Sequence, residues 1–141
     1  CLLSRGLGDV YKRQTLYNAI KNSGETALFQ QVIKDISLAK NKLIEDGLHA
    51  GFCLCHGNMG NLLILKRYAE IFDDKQVRSI CDSRFEQILE FLNEENILPT
   101  ELYNPGFMTG LSGIAYALLK YKMPKLPLLI GVEGIYDRNE V

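Results

Sequence analysis

The chain has 141 residues, of which 47% are hydrophobic and 23% charged, and this size and composition are typical of one water-soluble domain. Its 16 basic and 17 acidic residues nearly cancel, which argues against nucleic acid or an anionic membrane as the partner. The sequence has neither the run of about 20 apolar residues that spans a membrane nor the pattern of a signal peptide. We therefore expect a cytoplasmic protein.

The first 14 residues differ in origin from the rest. Residues 4–14 read SRGLGDVYKRQ and match the translation of a transposon adapter used in DNA library construction. Such a segment is set aside like a cloning scar. We therefore expect residues 1–14 not to be native, and the natural upstream sequence to be missing.

The first predicted helix runs from Thr26 to Asp46. Gly47 is a typical helix stop, and residues 51–57 are predicted to form a loop that leads to the next helix. The apolar residues of the helix recur at three- and four-residue steps and predict one buried face; they are Leu28, Phe29, Val32, Ile33, Ile36, Ala39, Leu43 and Ile44.

A helical hairpin is predicted next. Residues 61–72 are too evenly hydrophobic for a helix with a wide solvent face, which predicts an inner helix. Asp73 and Asp74 then offer an N-cap to a second helix that ends near Asn93. Its apolar residues at helical spacing are Val77, Ile80, Cys81, Phe85, Ile88, Leu89 and Leu92.

The last predicted helix follows a loop at residues 96–105, where an Asn-Pro step and a second proline disfavour helix. Thr109 is predicted to cap this helix, residues 110–121 to form it, and Pro124 to end it.

Two pairs of glycines indicate an internal repeat. Gly57 and Gly60 precede Gly110 and Gly113 by 53 positions, and each pair opens an apolar stretch. We interpret them as sites of close packing, because the Lys-Ser/Thr step and the preceding strand of a phosphate-binding loop are missing. Since one hairpin cannot bury such a helix alone, we expect inner apolar helices covered by amphipathic outer ones.

Cys55 and His56 are the candidate metal ligands. They lie at a helix entrance, where the helix dipole favours a thiolate, and thiolate and imidazole both bind zinc. Catalytic zinc usually has three protein ligands and an open position, so this pair supplies two of the three.

Other residues with reactive side chains are interpreted as structural. Cys53 fits a small buried hydrophobe better than a ligand, and Cys81 lies on an apolar helix face. His49 is given no role, since an exposed or capping histidine is the simpler interpretation. The acidic residues beside the later loop are interpreted as solvated; they are Glu94, Glu95 and Glu101.

Residues 53–61 (CLCHGNMGN) and, at the repeat distance, residues 105–119 (PGFMTGLSGIAYALL) resemble the last two motifs of the lanthionine synthetase C-like family. Their order and spacing, with residues 125–130 (KLPLLI), are most similar to the cyclase domain of class II (LanM-type) lanthipeptide synthetases. The resemblance covers the chain from about Leu28 to its end.

This resemblance implies an all-α fold in which helical hairpins form part of an α/α toroid. It also implies a central Zn²⁺ held by two cysteines and one histidine, of which Cys55 and His56 match two. The implied reaction adds a cysteine thiol of a dehydrated ribosomal precursor peptide to dehydroalanine or dehydrobutyrine, forming the (methyl)lanthionine rings of lantibiotics.

The family's other zinc cysteine, its acid/base histidine and its aspartate belong to earlier motifs that this sequence lacks. We therefore expect residues 15–141 to be a C-terminal fragment of a cyclase domain, once attached to an upstream dehydratase domain. By itself the fragment should be inactive and bind zinc weakly or not at all. Because the family commonly has another small residue at the position of Cys53, this cysteine is not assigned as the third ligand.

Other functions stay open on the sequence alone. A non-catalytic protein of the same fold could use its zinc or its cavity to bind a thiol compound. The repeat would also suit a helical-repeat interaction module or a toroidal carbohydrate enzyme.

Overall fold

The computed structural model describes residues 13–14, 16–48, 51–93, 103–127 and 129. These ranges contain helices α1 (Thr26–Asp46), α2 (Asn58–Ile71), α3 (Lys75–Asn93) and α4 (Leu111–Lys122), and residues 16–20 are helical as well. No strand occurs in the described ranges, so the predicted all-α class is confirmed. Among the same residues, every helix is too short or too polar to cross a membrane.

Helix α2 is the centre of the packing. Each of the other three helices contacts it, and its first eight residues are all buried. The predicted inner helix is therefore confirmed, but it begins at Asn58 and not at Asn61. The helix starts earlier because the Gly57 carbonyl accepts the Asn61 N–H at 3.2 Å and closes a first turn directly after the glycine.

Helix α1 has the predicted bounds but a narrower buried face. Only Val32, Ile36 and Leu43 are buried along it, whereas Leu28 is 41% exposed. The segment that follows α1 is held by both members of the hairpin. Asn61 of α2 donates its side-chain N–H to the Gly47 carbonyl at 2.6 Å, and the guanidinium of Arg84 in α3 donates to the carbonyl of Leu48.

Helix α3 begins as predicted at an aspartate cap. Asp74 Oδ1 accepts the backbone N–H of Val77 at 3.0 Å, which satisfies a donor that the first helical turn leaves free. Cys81 is fully buried, which confirms its predicted place in the core. Beside it, the Phe85 ring stacks on Tyr121 of α4 with centroids 3.8 Å apart.

The predicted cap of α4 is wrong by one residue. Gly110 is the N-cap, with extended backbone angles and no side-chain hydrogen bond. The hydroxyl of Thr109 instead accepts a hydrogen bond from the Asn104 side-chain amide at 3.0 Å. Thr109 therefore stabilises the loop before the helix and not the helix end.

Candidate metal centre

The candidate ligands lie on residues 51–57, called here the ligand loop. The N–H of Asn58 donates to the Gly51 carbonyl at 2.6 Å, and the N–H of Gly57 donates to the Cys53 carbonyl at 3.1 Å. A Cβ atom on Gly57 would meet the Gly51 carbonyl oxygen and would lie 2.5 Å from the backbone nitrogen of Cys53. The loop can therefore close on itself only with glycine at this position.

The second glycine pair follows a loop of the same form, residues 104–110, called here the repeat loop. Leu111 donates to the Asn104 carbonyl at 2.7 Å, as Asn58 does to Gly51. A Cβ atom on Gly110 would meet the Asn104 carbonyl oxygen, as one on Gly57 would meet that of Gly51. The predicted repeat is therefore confirmed, and it includes the loops as well as the helices that follow them.

The repeat loop contacts the ligand loop through one carbonyl group. Met108 O accepts the N–H groups of Leu54 at 3.1 Å and of Cys55 at 3.0 Å. The Leu54 side chain is fully buried, and its Cδ1 atom would lie 2.9 Å from a Cβ atom on Gly113. The start of α4 thus fixes the backbone of the ligand loop from its inner side.

Three donor atoms meet on the ligand loop. The Sγ atoms of Cys53 and Cys55 are 3.9 Å apart, and Cys55 Sγ lies 2.6 Å from Nδ1 of His56. All three residues offer a ligand atom within 4.8 Å of the others. The structure therefore brings the two predicted ligands together and places a third soft donor beside them.

The environment of the two thiols differs. Cys53 is 2% exposed, while Cys55 and His56 are partly exposed. Burial raises the pKa of the Cys55 thiol, and the neighbouring Cys53 raises it further through charge and hydrogen bonding. A cation beside Cys55 would oppose this rise in pKa, because it stabilises the thiolate.

Zinc fits this donor set. Tetrahedral Zn²⁺ with Zn–S bonds of about 2.3 Å separates two sulfur ligands by about 3.8 Å, and the observed separation is 3.9 Å. A sulfur and a nitrogen ligand of one zinc ion would be about 3.6 Å apart, whereas Cys55 and His56 are 2.6 Å apart. The two side chains are thus in direct contact, and their donor atoms would have to move apart by about 1 Å to bind the same zinc ion.

Of the remaining candidates, the structure describes only Cys81, which lies away from this cluster. Cys81 is buried in the core, where desolvation raises its pKa to about 12, and such a thiol is a poor nucleophile or ligand. His49 and three acidic residues lie outside the residues that the structure describes. The sequence interpretation missed the proximity of Cys53, although the Cys-x-Cys spacing was a visible signal; the acidic residues are Glu94, Glu95 and Glu101.

Comparison with known proteins agrees with the motifs. The sequence model of a family described as lanthionine synthetase C-like protein matches residues 13–133. The lacticin 481/lactococcin biosynthesis protein LcnDR2 of Lactococcus lactis subsp. lactis is 40% identical over 96 residues, which are 64% of this chain. The chain spans only 10% of the length of that relative. No solved structure matches the chain.

Proposed function

This chain belongs to the lanthionine synthetase C-like family, and from that premise we propose that it is part of the cyclase domain of a zinc-dependent lanthipeptide synthetase. The proposal depends above all on the thiol–imidazole pair of Cys55 and His56, whose donor atoms are 2.6 Å apart. The similarity to a lacticin 481/lactococcin biosynthesis protein supports a role in lantibiotic biosynthesis and a class II synthetase.

The proposed reaction is the addition of a peptide thiol to a dehydrated residue of the same precursor peptide. The sulfur forms a bond to the β-carbon of dehydroalanine or dehydrobutyrine, and the carbon–carbon double bond becomes single. The thiol proton is lost and the α-carbon gains one. The thioether product is therefore an isomer of the linear peptide, with one free thiol fewer for each ring.

The ligand loop provides the binding site in this proposal. Cys55 and His56 would hold a Zn²⁺ ion, which, when bound, would lower the pKa of a peptide thiol into the neutral range. Both residues are partly exposed, so a peptide can approach them from solvent. Leu54 is fully buried behind them and keeps water from the inner side of the loop.

The rest of the cyclase would come from sequence outside this chain. We place the hairpin and α4 within an α/α toroid, because two loops of the same form, residues 51–57 and 104–110, meet at one place. We assign the acid/base residues and an upstream dehydratase domain to the larger protein, and this assignment is compatible with the 10% of its relative that the chain spans. The free thiols of Cys53, Cys55 and Cys81 support a reducing cytoplasm.

Counting free thiols tests the proposed reaction. The full-length gene product that contains this chain is incubated with its dehydrated precursor peptide, and the remaining thiols are alkylated and counted by mass spectrometry. We expect alkylatable thiols to disappear while the mass of the unalkylated peptide stays constant. Cys55→Ala and His56→Ala should abolish this loss, and Cys81→Ala, which removes a thiol from the core, should not.

The thiol count, together with an elemental analysis for zinc, separates the alternatives. Zinc that depends on Cys55 and His56, together with peptide thiols that never disappear, would favour the non-catalytic thiol-binding protein. A gene product without zinc that still folds would favour a helical-repeat interaction module. Either result would contradict the proposed cyclase.

A further inference from the structure

We infer that Tyr116 is a positioning residue of the candidate metal centre. Its hydroxyl ties the segment after α4 to that helix, and its ring supports the repeat loop that carries Met108. Tyr116 acts through the backbone of the ligand loop and not by binding metal or peptide. The effect on metal binding rests on the proposed function, because it requires a metal ion at Cys55 and His56, whereas the effect on the ligand loop requires no metal.

The hydroxyl of Tyr116 bonds to two backbone groups of the segment that follows α4. It donates to the Pro127 carbonyl at 2.6 Å and accepts the N–H of Leu129 at 2.8 Å. The one proton of the hydroxyl and one of its lone pairs are thus both used within the protein. Because Tyr116 is only 8% exposed, removal of the hydroxyl would leave two backbone groups without this partner.

The ring of the same residue supports the repeat loop. It packs against the ring of Phe107 with centroids 5.3 Å apart and planes inclined by 55°, which is a favourable arrangement for two aromatic rings. The Phe107 backbone is fixed from another side, because a Cβ atom on Gly113 would meet its carbonyl oxygen. Phe107 is therefore held at its side chain by Tyr116 and at its carbonyl by the first turn of α4.

Phe107 directly precedes the residue that holds the ligand loop. The Met108 carbonyl accepts the N–H groups of Leu54 at 3.1 Å and of Cys55 at 3.0 Å. Because a rigid peptide unit fixes neighbouring Cα atoms about 3.8 Å apart, a shift of Phe107 would move this carbonyl as well. A path of direct contacts therefore runs from the Tyr116 hydroxyl to the backbone of Cys55.

Tyr121 provides a matched comparison on the same helix. It is 7% exposed, and its hydroxyl donates to Asp82 Oδ1 of α3 at 2.5 Å. Its ring stacks on Phe85 of α3, and not on the repeat loop. Tyr121→Phe therefore removes one buried hydroxyl from α4, as Tyr116→Phe does, but leaves the path to the ligand loop intact.

Hydrogen exchange of the ligand loop tests this path directly. The full-length gene product that contains this chain is exchanged as purified into deuterated water, and peptides that cover residues 51–57 are analysed by mass spectrometry. We expect Tyr116→Phe to speed exchange at Leu54 and Cys55 by about 2- to 30-fold, the range for substitutions that act through a packed network. Tyr121→Phe should leave it unchanged. Unchanged exchange in Tyr116→Phe, or equally faster exchange in both variants, would overturn the inference.

Cobalt gives a spectroscopic readout at the metal centre itself. The same proteins are titrated with Co²⁺, whose visible absorption depends on the type and geometry of its ligands, and Cys55→Ala serves as the blank. We expect Tyr116→Phe to bind Co²⁺ about 2- to 30-fold more weakly and with a shifted absorption band, and Tyr121→Phe to match the parent protein. A parent-like affinity and spectrum in Tyr116→Phe would overturn its role at the metal centre.

The two measurements separate this inference from the proposed function. If the parent protein binds no more Co²⁺ than Cys55→Ala, the proposed metal centre is wrong. Hydrogen exchange alone then decides whether Tyr116 positions the ligand loop.

Discussion

The backbone carbonyl of Met108 accepts a hydrogen bond from the N–H of Cys55 at 3.0 Å. These residues occupy equivalent positions in the two repeats, so one copy of the repeat fixes the backbone of a candidate ligand in the other. The geometry at Cys55 consequently depends on the start of α4 as well as on its own loop. Substitutions in the repeat loop should therefore affect the metal centre.

Gly110→Ala should destabilise the fold and weaken zinc binding. The added Cβ atom would meet the Asn104 carbonyl oxygen and would lie 2.9 Å from that of Gly106, so the loop that carries Met108 must move. Overpacking of this kind costs about 1–3 kcal/mol. Urea denaturation would measure the loss of unfolding free energy, and chelator competition the loss of zinc affinity.

Gly106→Ala is the matched control for this prediction. A Cβ atom there would lie 3.0 Å from the Asn104 side-chain oxygen, and a side chain can shift where a backbone carbonyl cannot. Because the Asn104 side chain also bonds Thr109 and the Gly106 N–H, we expect a loss of stability that is smaller than that of Gly110→Ala. Equal destabilisation by the two substitutions would contradict the role given to close backbone packing at Gly110.

Asn61→Ala should detach the end of α1 from α2. The Asn61 side chain is 5% exposed and donates to the Gly47 carbonyl at 2.6 Å. Its removal leaves a carbonyl without this donor, at a cost of about 1–3 kcal/mol. Thermal or urea unfolding would measure this loss, and Asn41→Ala, on an exposed part of α1, should change stability by less than about 0.5 kcal/mol.

Alkaline pH should destabilise the fold partly through Cys81. Burial raises the pKa of this thiol from 9.0 to about 12, so between these values the unfolded chain loses the proton and the folded chain keeps it. The stability contributed by the protonated thiol is thus complete below pH 9 and is lost progressively as the pH rises to about 12. Each such proton changes the unfolding free energy by about 1.4 kcal/mol per pH unit.

The contribution of Cys81 to this pH dependence can be isolated by comparing how steeply the unfolding free energy falls with pH in the parent chain and in Cys81→Ala. Cys81→Ala lowers stability at every pH by leaving a cavity, but its unfolding free energy should fall less steeply above pH 9 than that of the parent chain. Tyr68 and Tyr121 also have pKa values raised mainly by burial. The contribution of Tyr68 is common to both chains, whereas Cys81 adds to the rise at Tyr121, so Cys81→Ala also reduces the Tyr121 contribution. Parallel curves for the two chains would show that Cys81 does not titrate as described.

The fold was predictable from the sequence where apolar spacing and a capping side chain agreed. The bounds of α1 and the Asp74 cap of α3 followed from local rules, and so did the buried character of α2. The start of α4 was misplaced because Thr109 satisfies every local rule for a cap. Its hydroxyl bonds to Asn104 instead, a contact that depends on how the whole loop folds.

The candidate site was predictable only in part. Adjacency made Cys55 and His56 candidates, and family motifs gave their role. The approach of Cys53 to Cys55 depends on the turn between them, which the Met108 carbonyl fixes from a distant part of the chain. No local pattern encodes such a contact, although the Cys-x-Cys spacing permits it.

The zinc content of the purified full-length gene product that contains this chain tests the central claim most directly. Elemental analysis would compare the unmodified protein with Cys55→Ala, His56→Ala and the core control Cys81→Ala. We predict stoichiometric zinc in the unmodified protein and the control, and its loss in the other two variants. Equal zinc in all four proteins would contradict the assignment of the ligand loop as the metal centre.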